Sequence, residues 1–370
     1  MSKQTEQFLA DVLFQPVALG KLQLKNRIAM APLTRNRAEA GNVPGAMTVE
    51  YYAQRATAGL IIAEATQVSD TAQGYASTPG LHTAEQIAGW KKVTDEVHNR
   101  GGRIFVQLWH TGRMSHTAFQ PNAQSPVAPS AIAAKAKTYV PGAGYVDTSL
   151  PRELGTEEIA GIVDDFRIAS ANAIKAGFDG VEIHGAHGYL IDAFLRDGSN
   201  KRNDRYGGSI ENRARFLLEV MTAAINEVGA DRAGIRISPV SPVNDSSESA
   251  PQPLFEYVVR ELDKLHPIYI HVVEGHTGGP RDNAPFDYEA LHRLYSGTWM
   301  LNNGYTKEMA IDAITSGRAD IVSFGRPFIS NPDLVRRFRE GAPLNHLFED
   351  APLYGGVGPH GYIDYPALAD

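Results

Sequence analysis

Two histidines and a tyrosine lie close together in the segment Val181–Leu190, VEIHGAHGYL. The segment begins like a buried strand and continues as a loop that carries His184, His187 and Tyr189. Paired imidazoles can donate hydrogen bonds to a carbonyl or nitro oxygen and stabilise negative charge that develops there. A neighbouring tyrosine can deliver a proton to carbon. A metal site or structurally satisfied histidines are the alternatives, and a metal is disfavoured because no cysteine and no obvious third ligand lies nearby.

Three other apolar segments carry polar side chains suited to an aromatic cofactor. Gln107, in IFVQLWH, offers the donor and acceptor that the imide edge of a flavin requires, although an amide capping the strand end fits equally well. Arg236 lies between two isoleucines in GIRISP, where a buried guanidinium must be paired with an anion. That anion is either the N1–C2=O region of a reduced flavin or an ordinary buried carboxylate. Thr34, after MAPL, is able to donate to a flavin carbonyl or to serve as a simple loop residue.

Glycine-containing loops follow the last two apolar segments of the chain. Asn303 and Gly304 come after the first of them, and Gly325 and Arg326 come after the second. In barrel enzymes the loops after the seventh and eighth strands often form a phosphate site together with a helix N-terminus. Glycine lets backbone N–H groups approach a phosphate closely, and Arg326 adds a charged fork. The two loops therefore predict a phosphate site.

Short apolar segments alternate with amphipathic ones along the chain, and these elements must position the polar side chains. The predicted strands are Ile28–Leu33, Leu60–Ala65, Arg103–Trp109, Gly180–Gly185, Gly234–Ser238, Ile268–Val273, Thr298–Leu301 and Ile321–Gly325. The predicted helices are Thr83–Arg100, Thr156–Ala176, Ser209–Val228, Leu254–Leu265, Thr306–Ser316 and Asn331–Glu340. Runs rich in Ile, Val and Leu are typical of parallel strands buried on both faces. Because the polar candidates follow several different strands, the pattern favours an α/β fold of the (β/α)8 TIM-barrel type over a doubly wound open sheet.

Two segments interrupt this alternation. Gly112–Leu154, rich in Pro, Ala, Gly and Ser, is predicted to be a long excursion after the third strand that acts as a lid or covering hairpin. Ser241–Pro253 is polar and acidic and is expected to cap the fifth strand. Thr156, followed by two glutamates, is predicted to cap the helix that comes next. With no internal repeat and no linker, residues 1–370 are expected to form a single domain.

Composition excludes several classes of function. The chain of 370 residues has no cysteine, which rules out disulfides, iron–sulfur clusters and a thiol nucleophile. A formal net charge of −7 argues against a nucleic-acid partner. No apolar run approaches the length of a membrane span, and the polar segment Met1–Ala10 lacks the layout of a secretory signal. A cytoplasmic protein without a membrane partner is expected.

Taken in order, a set of longer motifs resembles the Old Yellow Enzyme family of FMN-dependent ene-reductases, particularly its bacterial N-ethylmaleimide, pentaerythritol tetranitrate and xenobiotic reductases. The resemblance covers nearly the whole chain. It rests on LKNRIAMAPLTR, EATQVS, GYASTPGLHT, VQLWHTGRMSH, GFDGVEIHGAHGYLIDAFLRDGSNKRNDRYGGSIENRARF, GIRISP and FGRPFISNPDL.

The resemblance implies a role for each candidate residue. Positions matching the family's contacts to the isoalloxazine ring of a non-covalent FMN are Pro32, Leu33, Thr34, Ala65, Gln107 and Arg236. Positions matching the phosphate end are Asn303, Gly304, Gly325 and Arg326. His184 and His187 match the pair that binds the substrate's activating oxygen, and Tyr189 matches the proton donor. Aromatic residues matching the mouth of the site are Tyr75, Trp109 and Tyr354.

The implied activity is hydride transfer from NADPH or NADH to electron-poor alkenes, with nitrate esters and nitroaromatics as further acceptors. A monomer or small homo-oligomer is expected. The alternatives are a cluster-containing 2,4-dienoyl-CoA reductase-like barrel, a barrel that binds flavin or another ligand without turnover, and a metal-dependent barrel hydrolase. The missing cysteines count against the first of these.

Overall fold

Eight short parallel strands close into a barrel in the computed structural model, which describes residues 12–369. The polar segment Met1–Ala10 lies outside the described residues. The barrel strands are β1 (Ile28–Met30), β2 (Leu60–Gln67), β3 (Ile104–Trp109), β4 (Gly180–Gly185), β5 (Ala233–Ile237), β6 (Tyr269–Val273), β7 (Thr298–Asn302) and β8 (Ile321–Phe324). Each strand pairs with its neighbours in chain order, and β8 pairs with β1. The predicted (β/α)8 TIM barrel is confirmed.

All eight predicted strands are present, and the largest differences are at the first two. β1 ends at Met30 rather than at Leu33. Pro32 has no N–H to donate to a ladder, so the chain leaves the sheet there and Pro32 and Leu33 turn to the cavity described below. β2 continues to Gln67, two residues beyond the prediction, with a bulge against β3 between Ala63 and Thr66.

The helices alternate with the barrel strands. They are Ala46–Ala53, Ala84–Asn99, Ile159–Lys175, Leu190–Leu195, Ile210–Val228, Pro251–Leu265, Tyr288–His292, Lys307–Thr315, Arg326–Ser330 and Leu334–Glu340. All six predicted helices are among them. Thr83 caps Ala84–Asn99 through a reciprocal pair of hydrogen bonds with Gln86, which explains why that helix begins where the sequence predicts.

Three predicted helix starts are wrong by three residues. The helix predicted from Leu254 begins at Pro251, because proline is tolerated in the first helical turn, and the last residues of the predicted capping segment Ser241–Pro253 are therefore helical.

In the other two cases tertiary contacts occupy the residues concerned. Thr156 does not cap the helix that begins at Ile159, because its hydroxyl donates to Asp204 Oδ2 at 2.5 Å and its oxygen accepts from Arg202 Nη2 at 3.3 Å instead of from a backbone N–H. The helix predicted from Asn331 begins at Leu334. The Asn331 side chain instead accepts from Asn345 N at 2.7 Å and ties down the chain after that helix.

The predicted excursion between β3 and its helix is confirmed, and it contains a covering hairpin. Lys137–Val140 pairs antiparallel with Gly144–Asp147, and residues of this hairpin line the cavity above the barrel. The short strands Val127–Ala128 and Arg152–Glu153 pair in parallel and close the base of the excursion. The sequence therefore predicted the position of this covering structure but not its register.

A second hairpin, which the sequence analysis missed, closes the opposite end of the barrel. Val17–Leu19 pairs antiparallel with Leu22–Leu24, and Leu19 and Leu24 belong to one apolar cluster with Phe105 and Tyr269. A Cβ on Gly234 would lie 2.6 Å from the Tyr269 ring, so glycine is needed there for the ring to fit inside the barrel. The floor of the barrel is thus solid and apolar, which leaves the carboxyl ends of the strands as the open end.

Within residues 12–369, no helix is long and apolar enough to cross a membrane.

Candidate active site

A cavity of about 1170 Å³ opens at the carboxyl ends of the barrel strands. All the predicted site residues line it: Pro32, Leu33, Thr34, Ala65, Tyr75, Gln107, Trp109, His184, His187, Tyr189, Arg236, Asn303, Gly304, Gly325, Arg326 and Tyr354. In a parallel barrel the side chains at these strand ends converge on one site even when they are far apart in sequence. The structure therefore brings the candidates together, and the role of each depends on its local contacts.

His184, near the end of β4, is a neutral hydrogen-bond donor. Burial lowers its pKa well below the usual value, and the charge of Arg236, its neighbour on β5, adds to the shift. Nδ1 accepts a hydrogen bond from the backbone N–H of Ala186 at 3.3 Å, so the single hydrogen of the neutral ring is on Nε2. Nε2 has no protein partner in the described part of the chain, and the residue lines the cavity. His184 can therefore donate to an oxygen bound there.

His187 lies three residues after His184, in the loop that follows β4, and its backbone is in the left-handed conformation with φ of 61°. Its backbone is fixed by Ser238, which accepts from the His187 N–H at 2.9 Å, and by Asn244, which donates to the His187 carbonyl at 2.8 Å. Burial also lowers the pKa of this imidazole well below its usual value. The ring centroids of His187 and His184 are 5.5 Å apart, so both rings can reach one small functional group.

Tyr189 faces the same space from the start of the helix Leu190–Leu195. Its ring packs edge-on against His184, with centroids 4.9 Å apart, and against Trp109 at 4.8 Å. Its hydroxyl lies 3.1 Å from the hydroxyl of Tyr75. Burial raises the pKa of Tyr189 to about 12, so the phenol is protonated at neutral pH and can give up a proton to a strong carbon base.

A buried salt bridge holds this loop in place. Asp192 accepts from Arg196 Nε at 2.8 Å and from the backbone N–H of Gly188 at 2.8 Å. Arg196 also donates to the carbonyls of Ser238 and Pro239, at the end of β5. This pair was not among the sequence-predicted site residues. Its signal is the i, i+4 spacing of Asp192, inside the apolar helix Leu190–Leu195, and Arg196, the residue directly after that helix.

Arg236 supplies a buried positive charge at one side of the cavity. The guanidinium Nη2 donates to Asn302 Oδ1 at 2.7 Å, and Asn302 Nδ2 donates to the Ser323 carbonyl. Arg236 Nε is buried and has no partner among the described residues. Within those residues the arginine therefore retains a donor for a bound anion, and its side-chain hydrogen-bond partner, Asn302, is neutral.

Gln107 belongs to a chain of hydrogen bonds that crosses the barrel interior. Its Nε2 donates to Glu182 Oε1 at 2.7 Å, and Glu182 Oε2 lies 2.8 Å from His271 Nδ1. His271 Nε2 in turn lies 2.7 Å from the Ser323 hydroxyl. Because the amide nitrogen is committed to Glu182, the Gln107 carbonyl oxygen remains as an acceptor. Sequence reasoning missed Glu182 and His271, although each is a polar residue inside an apolar strand.

The comparisons with known proteins agree with this geometry. Residues 12–345 match the family model of the NADH:flavin oxidoreductase / NADH oxidase family. The chain belongs to this family. It is 46% identical to 12-oxophytodienoate reductase 1 of Oryza sativa subsp. japonica over 363 residues, which are 97% of this chain and 93% of the relative. It is 43% identical to 12-oxophytodienoate reductase 2 of Arabidopsis thaliana over 359 residues, 96% of each chain.

Solved structures of this flavin oxidoreductase family superpose closely. Morphinone reductase matches with a TM-score of 0.92 at 45% identity, covering 96% of each chain. The old yellow enzyme homologue from Zymomonas mobilis matches with a TM-score of 0.92 at 42% identity, covering 96% of this chain and 99% of that chain. The resemblance to the Old Yellow Enzyme family and the oxidoreductase class are confirmed, with FMN as the family's cofactor.

The cavity of this flavin oxidoreductase fits FMN at both ends. At the ring end, the unpaired Nε of Arg236 and the free carbonyl of Gln107 match the anionic and N–H edges of an isoalloxazine. At the other end, Gly304 has φ of 64° and nothing within 4 Å of the position of a Cβ, which leaves an open cradle for a phosphate. Arg326, at the rim, makes no hydrogen bond or ion pair with residues 12–369 and is available to an anion.

Asn303 holds together, through its side chain, the end of the cavity of this flavin oxidoreductase that carries Gly304. Its Nδ2 donates to the carbonyls of Glu274 and His276, and its Oδ1 accepts from Gly278 N at 3.0 Å. The side-chain amide is thus committed to the loop after β6. A contact from Asn303 to a phosphate would have to come from its backbone, which has an unusual φ of 113°.

Two arginines that sequence reasoning missed fix the mouth of the cavity. Arg35 donates to the carbonyls of Leu353 and Gly361 and accepts from Gly355 N through its own carbonyl. Arg37 donates to the carbonyls of Gly358 and His360. These contacts hold the C-terminal segment that carries Tyr354 against the loop after β1.

Proposed function

We propose that this flavin oxidoreductase is an NAD(P)H-dependent ene-reductase that reduces the C=C bond of α,β-unsaturated ketones, aldehydes, imides and nitroalkenes. The observation that carries the proposal is the placement of His184, His187 and Tyr189 on one wall of the cavity, with both imidazoles neutral and the phenol protonated. Two imidazole N–H donors for one oxygen, next to a phenol that can protonate a carbon atom, suit the reduction of an activated alkene. Residues 1–370 act as one FMN-binding barrel domain in this proposal.

The histidine pair binds the activating oxygen of the alkene. His184 donates from Nε2, and the neutral form of both rings keeps them as hydrogen-bond donors rather than acids. As hydride adds to the β-carbon, negative charge moves to this oxygen, and the hydrogen bonds strengthen with it. The pair therefore stabilises the transition state more than the bound alkene.

Tyr189 completes the reaction by donating its hydroxyl proton to the α-carbon, where a new C–H bond forms as the O–H bond breaks. When bound, FMN would accept hydride from the nicotinamide and return it to the β-carbon of the alkene. The hydride and the proton together saturate the C=C bond. Tyr75 donates to the oxygen left on Tyr189, and this contact lowers the pKa of Tyr189 while raising that of Tyr75.

A single cavity serves both the nicotinamide and the alkene, which predicts ping-pong kinetics. Trp109 and Tyr75 stack with ring centroids 5.7 Å apart and form an apolar wall beside the reacting carbons. Such a wall excludes water and so protects the reduced cofactor between the two halves of the reaction. A morphinone reductase structure with tetrahydroNAD, 45% identical to this chain with a TM-score of 0.91, supports binding of a nicotinamide. Nitrate esters and nitroaromatics, which also present oxygens to the pair, are proposed as further acceptors.

The experiment that tests the proposal is an anaerobic absorbance titration of the purified holoenzyme. NADPH, or NADH in a parallel sample, should bleach the flavin absorbance, and 2-cyclohexenone should restore it with formation of cyclohexanone. Bleaching without recovery by any electron-poor alkene would make the protein a flavin-binding barrel without this turnover. A colourless protein that stays inert with added FMN and loses a hydrolytic activity with chelator would favour the metal-dependent hydrolase instead.

A further inference from the structure

A chain of two hydroxyl groups ends on the ring of His187. Thr277, in the loop after β6, places its Oγ1 2.7 Å from His187 Nε2. The same Oγ1 lies 3.2 Å from the hydroxyl of Ser241, and Ser241 Oγ accepts from the backbone N–H of Thr277 at 3.4 Å. Ser241 is buried, and His187 and Thr277 line the cavity. The sequence motifs that pointed to His187 include neither hydroxyl residue.

The direction of donation along this chain follows from hydrogen-bond accounting. If His187 Nε2–H donated to Thr277, one hydroxyl of the chain would have no acceptor among residues 12–369: Ser241 if Thr277 donated to it, or Thr277 if Ser241 donated to Thr277 instead. In the opposite direction every donor is satisfied, because Ser241 donates to Thr277 and Thr277 donates to His187 Nε2. Only this arrangement gives every donor of the chain an acceptor within the described residues, and an unsatisfied hydroxyl costs free energy, so this arrangement is favoured.

A neutral imidazole that accepts at Nε2 carries its hydrogen on Nδ1. That nitrogen makes no hydrogen bond to the described residues, and it is not closed off from the cavity that His187 lines. His184 has the complementary arrangement, with Nδ1 accepting from Ala186 and the hydrogen on Nε2. Each ring thus uses one nitrogen as an acceptor within the protein and keeps its N–H for the cavity.

We propose that Thr277, supported by Ser241, is a positioning residue that fixes His187 as the Nδ1–H tautomer, so that both histidines donate to the same substrate oxygen. The role of this tautomer in binding the substrate oxygen rests on the proposed function. The tautomer itself does not depend on turnover and can be observed without it. The position of Thr277 is set by Asn303, whose side chain bonds Gly278 N and the carbonyls of Glu274 and His276 on either side of Thr277.

The direct test is the ¹⁵N signature of the His187 ring in the FMN-loaded enzyme. Long-range ¹H–¹⁵N NMR of protein labelled at histidine distinguishes a ring nitrogen that carries hydrogen from one that does not, and a His187→Asn variant assigns the signals. We expect Nδ1–H in the wild-type enzyme and in Thr277→Ser, which keeps the hydroxyl. Thr277→Val should shift His187 to Nε2–H or to a mixture of tautomers. Nε2–H in the wild-type enzyme would overturn the proposal.

The second test is the binding of 4-hydroxybenzaldehyde, followed through the absorbance of the bound flavin. Loss of one well-placed donor should raise the Kd of Thr277→Val about five- to tenfold. Thr277→Ser should stay within about twofold of the wild type. Ser241→Ala should fall between them, because Thr277 keeps its hydroxyl but loses the partner that orients it. Thr315→Val, on an exposed helix end, is the matched control for the loss of a threonine hydroxyl.

The two readouts separate the outcomes. An unchanged tautomer together with an unchanged Kd in Thr277→Val would refute the positioning role even if the enzyme reduces enones. An enzyme that fails to reduce any alkene would refute the proposed function, while the NMR result would still decide the tautomer. Retained FMN absorbance in each variant shows that the barrel has folded.

Discussion

The hydroxyl groups of Tyr75 and Tyr189 lie 3.1 Å apart, and the indole of Trp109 packs against both rings. Burial raises the pKa of Tyr75 well above its usual value and that of Tyr189 to about 12. The hydrogen bond between them has opposite effects on the two phenols, lowering the pKa of Tyr189 and raising that of Tyr75. Tyr189 is thereby the phenol of the pair that gives up a proton more readily.

Removing the Tyr189 hydroxyl should therefore slow the reduction of the alkene without slowing the reduction of the flavin. In Tyr189→Phe, we expect 2-cyclohexenone reduction to slow about 10²-fold, the usual contribution of a positioned general acid. Flavin reduction by NADPH transfers no proton from this residue and should change less than about twofold. Anaerobic stopped-flow absorbance measures both rates. Tyr257→Phe, on the helix Pro251–Leu265 outside the cavity, is the control. Equal slowing of both halves would remove the proton-donor role.

The pKa shifts of the cavity predict a flat pH profile for alkene reduction. Burial lowers the pKa values of His184 and His187 well below 6.5, so both rings lose their protons at acidic pH and are already neutral at pH 6. Tyr189, with its pKa raised to about 12, stays protonated through pH 9. We expect the rate of the alkene half-reaction to vary less than about threefold between pH 6 and 9, because none of these three residues titrates there. A step centred near pH 6.5 would show that one of the imidazoles ionises during catalysis.

Arg236 should control both the affinity and the redox potential of the cofactor. Its buried guanidinium has a free Nε and only the neutral Asn302 as a side-chain hydrogen-bond partner among the described residues. In Arg236→Met the reduced, anionic cofactor loses more stabilisation than the oxidised form. We expect FMN affinity to fall about tenfold or more, and the midpoint potential to drop by about 30–60 mV. Arg232→Met, exposed just before β5, should change neither. Spectroelectrochemistry checks the potential, and a rise in Arg236→Met would contradict the assignment.

The sequence predicted much of the barrel because its strands are buried on both faces and read as apolar runs. The candidates Gln107, His184 and Arg236 stood out because each is polar within such a run. Their partners were harder to find. Glu182 and His271 satisfy each other across the barrel from β4 and β6, and no local pattern reveals a contact between residues so far apart in sequence. Thr277 is likewise an ordinary loop residue until the fold places it beside His187.

Local signals also failed where tertiary contacts competed with them. Thr156 has the sequence of a helix cap, yet Asp204 takes its hydroxyl and is itself held by Arg202 Nη2 at 2.6 Å. The Thr156 oxygen accepts from the charged Arg202 guanidinium, and a charge-assisted bond is stronger than the bond from a neutral backbone N–H that a cap would make. The strands and register of the hairpin at Lys137–Asp147, within the predicted covering excursion, were not predicted for a different reason, since these strands are half exposed and lack an apolar period.

The buried pair of Asp192 and Arg196 should contribute strongly to stability. Their side chains are almost fully inaccessible, at 0% and 2% exposure, and Arg196 also bonds two backbone carbonyls. Arg196→Met leaves Asp192 buried without its cation and should destabilise the fold by about 3–5 kcal/mol. Arg167→Met removes an exposed arginine that pairs with Asp164 and Glu227, and should leave the free energy of unfolding nearly unchanged. Urea unfolding of both variants measures the difference. Equal effects would show that burial does not strengthen the inner pair.

Glu64 should make the stability of the enzyme decrease at alkaline pH. Its carboxyl is buried beside Tyr52 and the backbone N–H of Arg35, and burial raises its pKa from 4.5 to about 7. The folded state therefore holds this proton more tightly than the unfolded state, so the stabilisation is complete below pH 4.5 and is lost as pH rises through 7. Glutamine cannot ionise, and Glu64→Gln should gain on the order of 2–3 kcal/mol relative to wild type between pH 5 and pH 8.5. Urea unfolding at the two pH values, with the exposed Glu50→Gln as control, measures this gain. A difference between Glu64→Gln and wild type that is the same at both pH values would mean that Glu64 ionises as readily in the folded protein as in the unfolded chain.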